Sequence, residues 1–468
     1  MKEGLYSTLT DYCHGDILPM HMPGHKRNQK FNMENPYGID VTEVTGLDNL
    51  HRPEGVIKQL MERVTKRYHS DGSYLLINGS TGGILAAITA CCHHGDRILV
   101  ARNCHKSVYN AIKLLELRPV YIYPSEEGGE MKKLGIAGVV QSADVEKALR
   151  KYPDIACVVI TSPTYEGVVS PIKEIAETVH GHRVPLVVDE AHGAHFQWHE
   201  DFPDTALTEG ADIVIESLHK TLPAFTQTGV LHMRAGLVDE KRLKWSLQTF
   251  QSSSPSYILM AGIDRCFSYL EQEGRKAFGE YLENLKWFRE EMRKLRHLRL
   301  FESPRKECSK LVIATDRTGL SGRELAEWLL DKFQIELEMS CGNYCIAMTS
   351  LCDERSGFER LAAALLEIDG GLSESTWGEK KEVRYTWQEP QIGMYSYEVT
   401  KCRTEYVPVV KSVGRLAAEP IYLYPPGVPM VVEGEEISEE MVTVLQVGVD
   451  SGQVIHGVED GMIQVLMY

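Results

Sequence analysis

Asp189 and Lys220 stand 31 positions apart, each just after a short apolar run: PLVVD at 185–189 and DIVIES at 212–217. That spacing suits one strand–helix–strand unit. Both side chains are then expected at the carboxyl edge of a parallel sheet, where α/β folds bind ligands. A lysine amine able to form a Schiff base, and a carboxylate able to keep a pyridine nitrogen protonated, are the pair that pyridoxal phosphate (PLP) chemistry needs. Other groups follow similar runs. Asn78 leads into Gly79, Ser80, Thr81, Gly82 and Gly83 and then a helix start. Free N–H groups, two hydroxyls and a helix dipole there suit a phosphate. This is no P-loop, because no lysine follows the glycines. Ser217 and His219 flank the lysine and could add phosphate contacts. His105, after RILVA, offers a flat ring to lie against a cofactor. Thr164 and Tyr165, in SPTYEG, could line a substrate. Each has a plainer reading: a solvated lysine, glycines used for tight packing, a surface histidine, a proline turn.

The elements that must position these residues are legible as a pattern. Seven buried-strand runs lie between residues 70 and 235: Ser73–Asn78, Arg97–Ala101, Val120–Tyr123, Cys157–Thr161, Pro185–Asp189, Asp212–Glu216 and Gly229–Met233. Helical stretches separate most of them, which argues for a largely parallel α/β sheet. Apolar residues three and four apart predict an amphipathic helix over 275–297 that leaves this large domain. Residues 300–370 read as a small α/β domain: KLVIATD and CIAMTSL as strands, GRELAEWLLDKF and ERLAAALLEI as helices. The polar break GGLSES at 370–375 marks a boundary. The expected division is 1–299, 300–370 and 371–468. In the last part, VEGEEISEE is expected to cap a helix, with Ser438 ahead of two glutamates.

The chain has 468 residues, 50 Lys+Arg against 66 Asp+Glu and a net charge of −16, which disfavours a nucleic-acid partner. No apolar run is long enough to span a membrane, and the first residues carry no secretory pattern. Eleven cysteines without paired CxxC spacing, several in apolar runs, suggest reduced thiols and a cytoplasmic location. DEAH at 189–192 spells a helicase motif, but no Gly-Lys pair exists for a phosphate loop. His192 and His195, or His93 and His94, lack a third ligand of known geometry, so no metal is expected. Two further alternatives are another PLP enzyme of the same fold, an aminotransferase or lyase with Arg317 or Arg323 on the substrate carboxylate, and a binding protein that has lost catalysis.

Taken together the motifs resemble the Orn/Lys/Arg decarboxylases of PLP fold type I, the aspartate-aminotransferase fold. The resemblance rests on MPGHKR at 22–27, DVTEVTGLDNLHRPEG at 40–55, NGSTGG at 78–83, RNCHKSVYNAI at 102–112 and TSPTYEG at 161–167. It continues in VDEAHGAH at 188–195, SLHKTLPAFTQTG at 217–229, QSSSPSY at 251–257 and GRLAAEPIYLYPPGVPM at 414–430. It implies a seven-stranded mostly parallel sheet, a small domain and a C-terminal domain, with PLP as cofactor. It also implies Lys220 as the Schiff-base residue, Asp189 on the pyridine nitrogen and His105 against the ring. Ser80, Thr81, Gly82, Ser217 and His219 would surround the phosphate, and His192 would lie beside Asp189. Lys220 or His219 would return a proton to Cα. The activity implied is decarboxylation of arginine (favoured), lysine or ornithine, for polyamine synthesis, in a homodimer or larger assembly. Glu43, Asp48 and Glu419 are candidates for the substrate's distal cation. The chain starts close to MPGHKR, without the wing of the long members, and its phosphate turn is poorer in hydroxyls than some relatives. Segment 300–370 carries no recognisable motif.

Overall fold

The computed structural model describes residues 5–33, 35–125, 129–372, 389–423, 427–450 and 455–467. A helix α1 (Leu5–His14) and a short strand β1 (Leu18–Met20) open the chain, and helix α2 (Val56–Tyr68) leads into the large sheet. The sheet's strands are β2 (Gly72–Leu76), β3 (Arg97–Ala101), β4 (Arg118–Ile122), β5 (Ile155–Thr161), β6 (Leu186–Asp189), β7 (Ile213–Ser217) and β8 (Gly229–Met233). They stand in the order β2-β8-β7-β6-β5-β3-β4. Only β8 runs antiparallel to its neighbours. All seven expected strands are present, displaced by two residues or fewer at most ends. Strands β6, β7 and β8 are buried at every position. Helices cover both faces, so continuous Val/Ile/Leu runs replace alternation.

Of the helix expected over 275–297, residues 275–292 form the second half of a 36-residue helix, Tyr257–Met292, and 293–297 lie beyond its end. Its first half was hidden by glycine. A Cβ at Gly262 would stand 2.5 Å from the Phe225 ring, so only glycine lets the helix pass there.

Strands β9 (Arg299–Leu300), β10 (Lys310–Ala314), β11 (Ile335–Leu337), β12 (Met339–Ser340) and β13 (Tyr344–Met348) form the smaller α/β unit with helices Gly322–Phe333 and Arg355–Gly371. The antiparallel sheet runs β12-β13-β10-β9, while β11 pairs in parallel with β1. The N-terminal segment is therefore strapped onto the small unit. A capping box between Ser321 and Glu324 starts helix Gly322–Phe333 where the sequence pattern starts it.

C-terminally, β14 (Thr404–Pro408) pairs with β18 (Met462–Leu466), and β15 (Ile421–Leu423) lies between β16 (Pro429–Val431) and β17 (Ile455–His456). Helix Glu439–Asp450 is capped by Ser438, whose Oγ accepts from the Met441 N–H at 3.1 Å, as the acidic run suggested. Residues 373–375 of the GGLSES break and 424–426 of YPPGVP lie outside the described residues. All eleven cysteines are free thiols. Among the described residues no helix is long and apolar enough to cross a membrane.

Candidate active site

The expected chemistry-bearing residues meet at the carboxyl ends of β3, β5, β6 and β7 and at the turn after β2. This follows from parallel register: Thr161 pairs with Asp189 and Asp189 with Ile215, so β5 and β6 end level and β7 runs two residues further, to Ser217. Helix α3 (Gly79–Cys91) begins in the phosphate-type turn. Gly79 has φ +67°, which admits the tight entry to the helix. Gly83 serves packing instead, since a Cβ there would stand 2.6 Å from Leu76 Cδ1. Ser80 and Ser217 are both buried, with their hydroxyls 2.5 Å apart. Thr81 and Gly82 complete the first turn, in which the Gly79 N–H donates to the Gln227 carbonyl at 2.9 Å and the Gly82 N–H to the Asn78 carbonyl at 3.3 Å.

Asp189 is 4% exposed, and one carboxylate oxygen accepts the Ala191 N–H at 3.1 Å. Burial raises its pKa, and the nearby Lys220 pulls it back. Lys220 sits on the short helix Leu218–Thr221, and its Nζ is 3.0 Å from His192 Nε2. Burial lowers the Lys220 pKa, while Asp189 and Glu338 oppose the shift. Burial also keeps His192 neutral, with its pKa well below the usual imidazole value and Lys220 adding to the effect. The Nδ1 of His192 is buried without a hydrogen-bond partner among the described residues. The Tyr165 ring meets the His192 ring edge-on at 4.7 Å.

His105 caps helix α4 (Lys106–Leu114): its Nδ1 takes the Ser107 N–H at 3.3 Å and pairs with Ser107 Oγ at 2.8 Å. Burial, then Lys220 and Lys106, push its pKa down to about 4. His219 gives its Nδ1 proton to the Thr228 carbonyl at 2.9 Å. Its pKa also falls to about 4, through burial, so Nε2 carries no proton near neutrality.

Other expectations fare differently. The Asp48 carboxylate is filled by the N–H groups of Asn49, Glu54, Gly55, Ile57 and Lys58, so it organises the entry to α2 and is not placed to read a substrate. Sequence spacing cannot distinguish a carboxylate that folds its own loop from one that faces a ligand. Glu43 is half-buried, with Oε1 lacking a hydrogen-bond partner among the described residues, and Glu419 is exposed. Thr164 serves its own turn, donating to Glu166 at 3.0 Å and accepting from the Val168 N–H. Arg317 is exposed, and Arg323 pairs with Glu327 on the surface, so neither offers a small-unit arginine to the site. His195 pairs with Glu307, and no metal-binding cluster exists among the described residues.

Two contributors went unread in the sequence. Glu338 accepts the Tyr165 hydroxyl and takes the Met22 N–H at 2.7 Å. It lies in IELEMS, at the bend between β11 and β12, in an alternating pattern without a motif. Gly24, in MPGHKR, donates its N–H to the His219 carbonyl at 2.7 Å, and this places the N-terminal strap on the Lys220 helix.

These groups fit PLP. The hydroxyls of Ser80, Thr81 and Ser217 and the start of α3 suit a phosphate dianion, Asp189 suits a pyridinium and Lys220 an aldehyde. The buried Nδ1 of His192 calls for a polar partner that the described residues do not provide.

The Orn/Lys/Arg decarboxylase major-domain model matches residues 3–316, and the C-terminal-domain model of the same family matches 389–460. An arginine decarboxylase of Bacillus subtilis is 31% identical over 99% of this chain and 96% of the relative. One from Halalkalibacterium halodurans is 30% identical over the same shares. Among solved structures, the constitutive lysine decarboxylase of E. coli aligns with a TM-score of 0.81 at 19% identity, covering 99% of this chain and 81% of that one. With two family models in sequence order, relatives matched end to end and the fold type I sheet in place, the chain belongs to the Orn/Lys/Arg decarboxylases, PLP-dependent amino-acid decarboxylases.

Proposed function

We propose that the protein decarboxylates a basic amino acid, arginine by preference, giving agmatine and CO2 for polyamine synthesis. The observation that carries the residue assignment is the Lys220 Nζ to His192 Nε2 distance of 3.0 Å beside buried Asp189. The arginine preference is supported by the names of the relatives matched end to end.

Bound at this site, PLP supplies an electron sink for the pair left when the Cα–carboxylate bond breaks. The side chains do the rest. Asp189 holds a proton on the pyridine nitrogen. His105 lies against the ring face, kept neutral by burial and oriented through Ser107. Ser80, Thr81, Gly82 and Ser217 receive the phosphate. Lys220, whose pKa burial lowers, would hold the cofactor through its amine and would be the group to return a proton to Cα. His192, neutral and in contact with Nζ, would orient the Lys220 amine, and its Nδ1 would be free to meet the cofactor. His219 would line the phosphate side, and its single ring proton stays on Nδ1, donated to the Thr228 carbonyl. Glu43, with Oε1 unpartnered among the described residues, is the carboxylate we assign to the substrate's distal cation, where a guanidinium favours a bidentate fit.

The division into 1–299, 300–370 and 371–468 belongs to the same proposal, with β1 of the first part paired to the second. So do a cytoplasmic location and a homodimer or larger assembly. The test is product analysis: incubate the holoenzyme separately with arginine, lysine and ornithine, and detect amine and CO2 by mass spectrometry. Agmatine with equimolar CO2 from arginine alone is expected. Cadaverine or putrescine as the main product would refute the arginine preference. No amine from any of the three, with cofactor bound, would refute decarboxylation of these substrates.

A further inference from the structure

Arg102 immediately precedes the turn that carries His105, yet its side chain runs away from the site. It is 1% exposed. Its Nη1 donates to the Tyr109 hydroxyl at 2.9 Å and to the Pro429 carbonyl at 2.7 Å. Its Nη2 donates to the Met430 carbonyl at 3.2 Å and to Glu435 Oε2 at 3.0 Å. Three of these four acceptors belong to the C-terminal unit, on β16 and the turn after it. Glu435 is itself 2% exposed, and the same oxygen takes the Val432 N–H at 2.7 Å, which holds that turn in shape. On the other side, Tyr109 returns its hydroxyl proton to the Arg102 carbonyl at 2.6 Å, and the guanidinium lies over the Tyr109 and Tyr121 rings.

The contacts continue along α4, whose cap is His105. Lys113 pairs with Glu433 at 2.9 Å, and Lys106 lies over the Tyr422 ring at 5.6 Å. The C-terminal unit thus grips the helix at its far end and near its start, and grips the residue three before its cap through a fully desolvated ion pair. A charge pair is expensive to bury; here Arg102 spreads a fork of donors that lysine could not reproduce, while Glu435 Oε2 takes two N–H groups and Oε1 has no hydrogen-bond partner among the described residues. A unit that merely packed against the large sheet would not need it.

We propose that Arg102 and Glu435 are positioning residues: through them the C-terminal unit sets the 102–105 turn and so the His105 ring that faces the cofactor. This rests on the assignment of His105 in the preceding section. The reaction's own groups stay where that assignment puts them. What is added is a dependence of cofactor binding on a unit that contributes none of them.

The experiment measures PLP dissociation constants on apo-protein by cofactor absorbance, the induced circular dichroism of the bound cofactor, and the apo-protein melting temperature. Glu435→Gln and Arg102→Lys should each raise the dissociation constant about tenfold, the effect of weakening one charged hydrogen bond. They should also shrink the induced dichroism. Glu433→Gln, at the partly exposed pair on the far end of α4, should leave both unchanged. His105→Ala must alter the induced dichroism; if it does not, the His105 assignment fails, and with it the basis of this proposal. If His105→Ala does so while Glu435→Gln lowers only the melting temperature and leaves cofactor affinity and dichroism at wild-type values, the pair is structural and the proposal is overturned. Glu435→Gln keeps an acceptor for Val432 and most of the volume, so it retains the fold should Arg102→Lys lose it.

Discussion

At the scale of single residues, the site works by withholding water from charges. Lys220 is held below the ordinary lysine range by burial, and the Asp189 carboxylate pulls the other way. Capture of PLP needs the free amine. The capture rate of the apo-protein should therefore rise with pH to a midpoint below the roughly 10.4 of an exposed lysine. Asp189→Asn removes the opposing charge, so the midpoint should move further down; stopped-flow absorbance over a pH series reads it, and an upward shift contradicts the assignment. The same variant should lose about 10²–10³ in kcat, typical of removing one fixed electrostatic partner. Asp48 is the contrasting carboxylate. Burial works against its charge, but N–H groups from Glu54, Asn49, Lys58 and Gly55 outweigh that and depress its pKa. Asp48→Ala should cost about 2–3 kcal/mol of stability while leaving kcat/KM near wild type. Because the folded pKa is lowered, this advantage is present above the unfolded carboxylate value and fades as pH falls through the folded one. Urea melts at several pH values with parallel kinetics check both. A large rise in KM would instead return Asp48 to the substrate pocket.

At the scale of elements, parallel strands deliver the chemistry and an N-terminal strap closes over it. Gly24 marks the contact. A Cβ there would stand 2.8 Å from the Leu222 carbonyl oxygen and 2.9 Å from its nitrogen, and both are backbone atoms that cannot swing aside. Gly24→Ala should therefore push the strap off the Lys220 helix, costing about 1–3 kcal/mol and weakening PLP binding. Thermal melts and cofactor titration measure the two losses, and unchanged cofactor affinity would show that the strap does not shape the site. Burial of the sheet explains why strand identity was readable: buried on both faces, these strands had to be continuous Val/Ile/Leu runs.

At the scale of the whole molecule, buried ions pin the parts to one another. Lys26 of the strap is buried and donates to the carbonyls of Pro19, His21 and Met348, the last on β13, and lies 3.7 Å from Asp353. Burial lowers its pKa, and Asp353 is the main influence holding it up. Lys26→Met strands Asp353 without its cation and should cost about 3–5 kcal/mol. Lys26→Met with Asp353→Leu should recover part of that. Denaturant melts of the single and double variants test it, and equal losses in both would mean the pair itself contributes little. Arg102 and Glu435 do the corresponding work for the C-terminal unit.

Residue order alone determined the parallel sheet, the strand ends that carry Asp189, Lys220, His105 and Ser80, and the capped helix at Ser438. Each depends on local spacing: a buried run, a turn and a cap are all written within a few positions. Tertiary structure decided the rest. It turned Asp48 into a loop organiser, brought Glu338 to Tyr165, set His192 against Lys220 and joined Arg102 to Glu435, 333 positions away. Such pairings follow from how separate units dock, and a side chain's type does not reveal which neighbour it will meet once water is excluded.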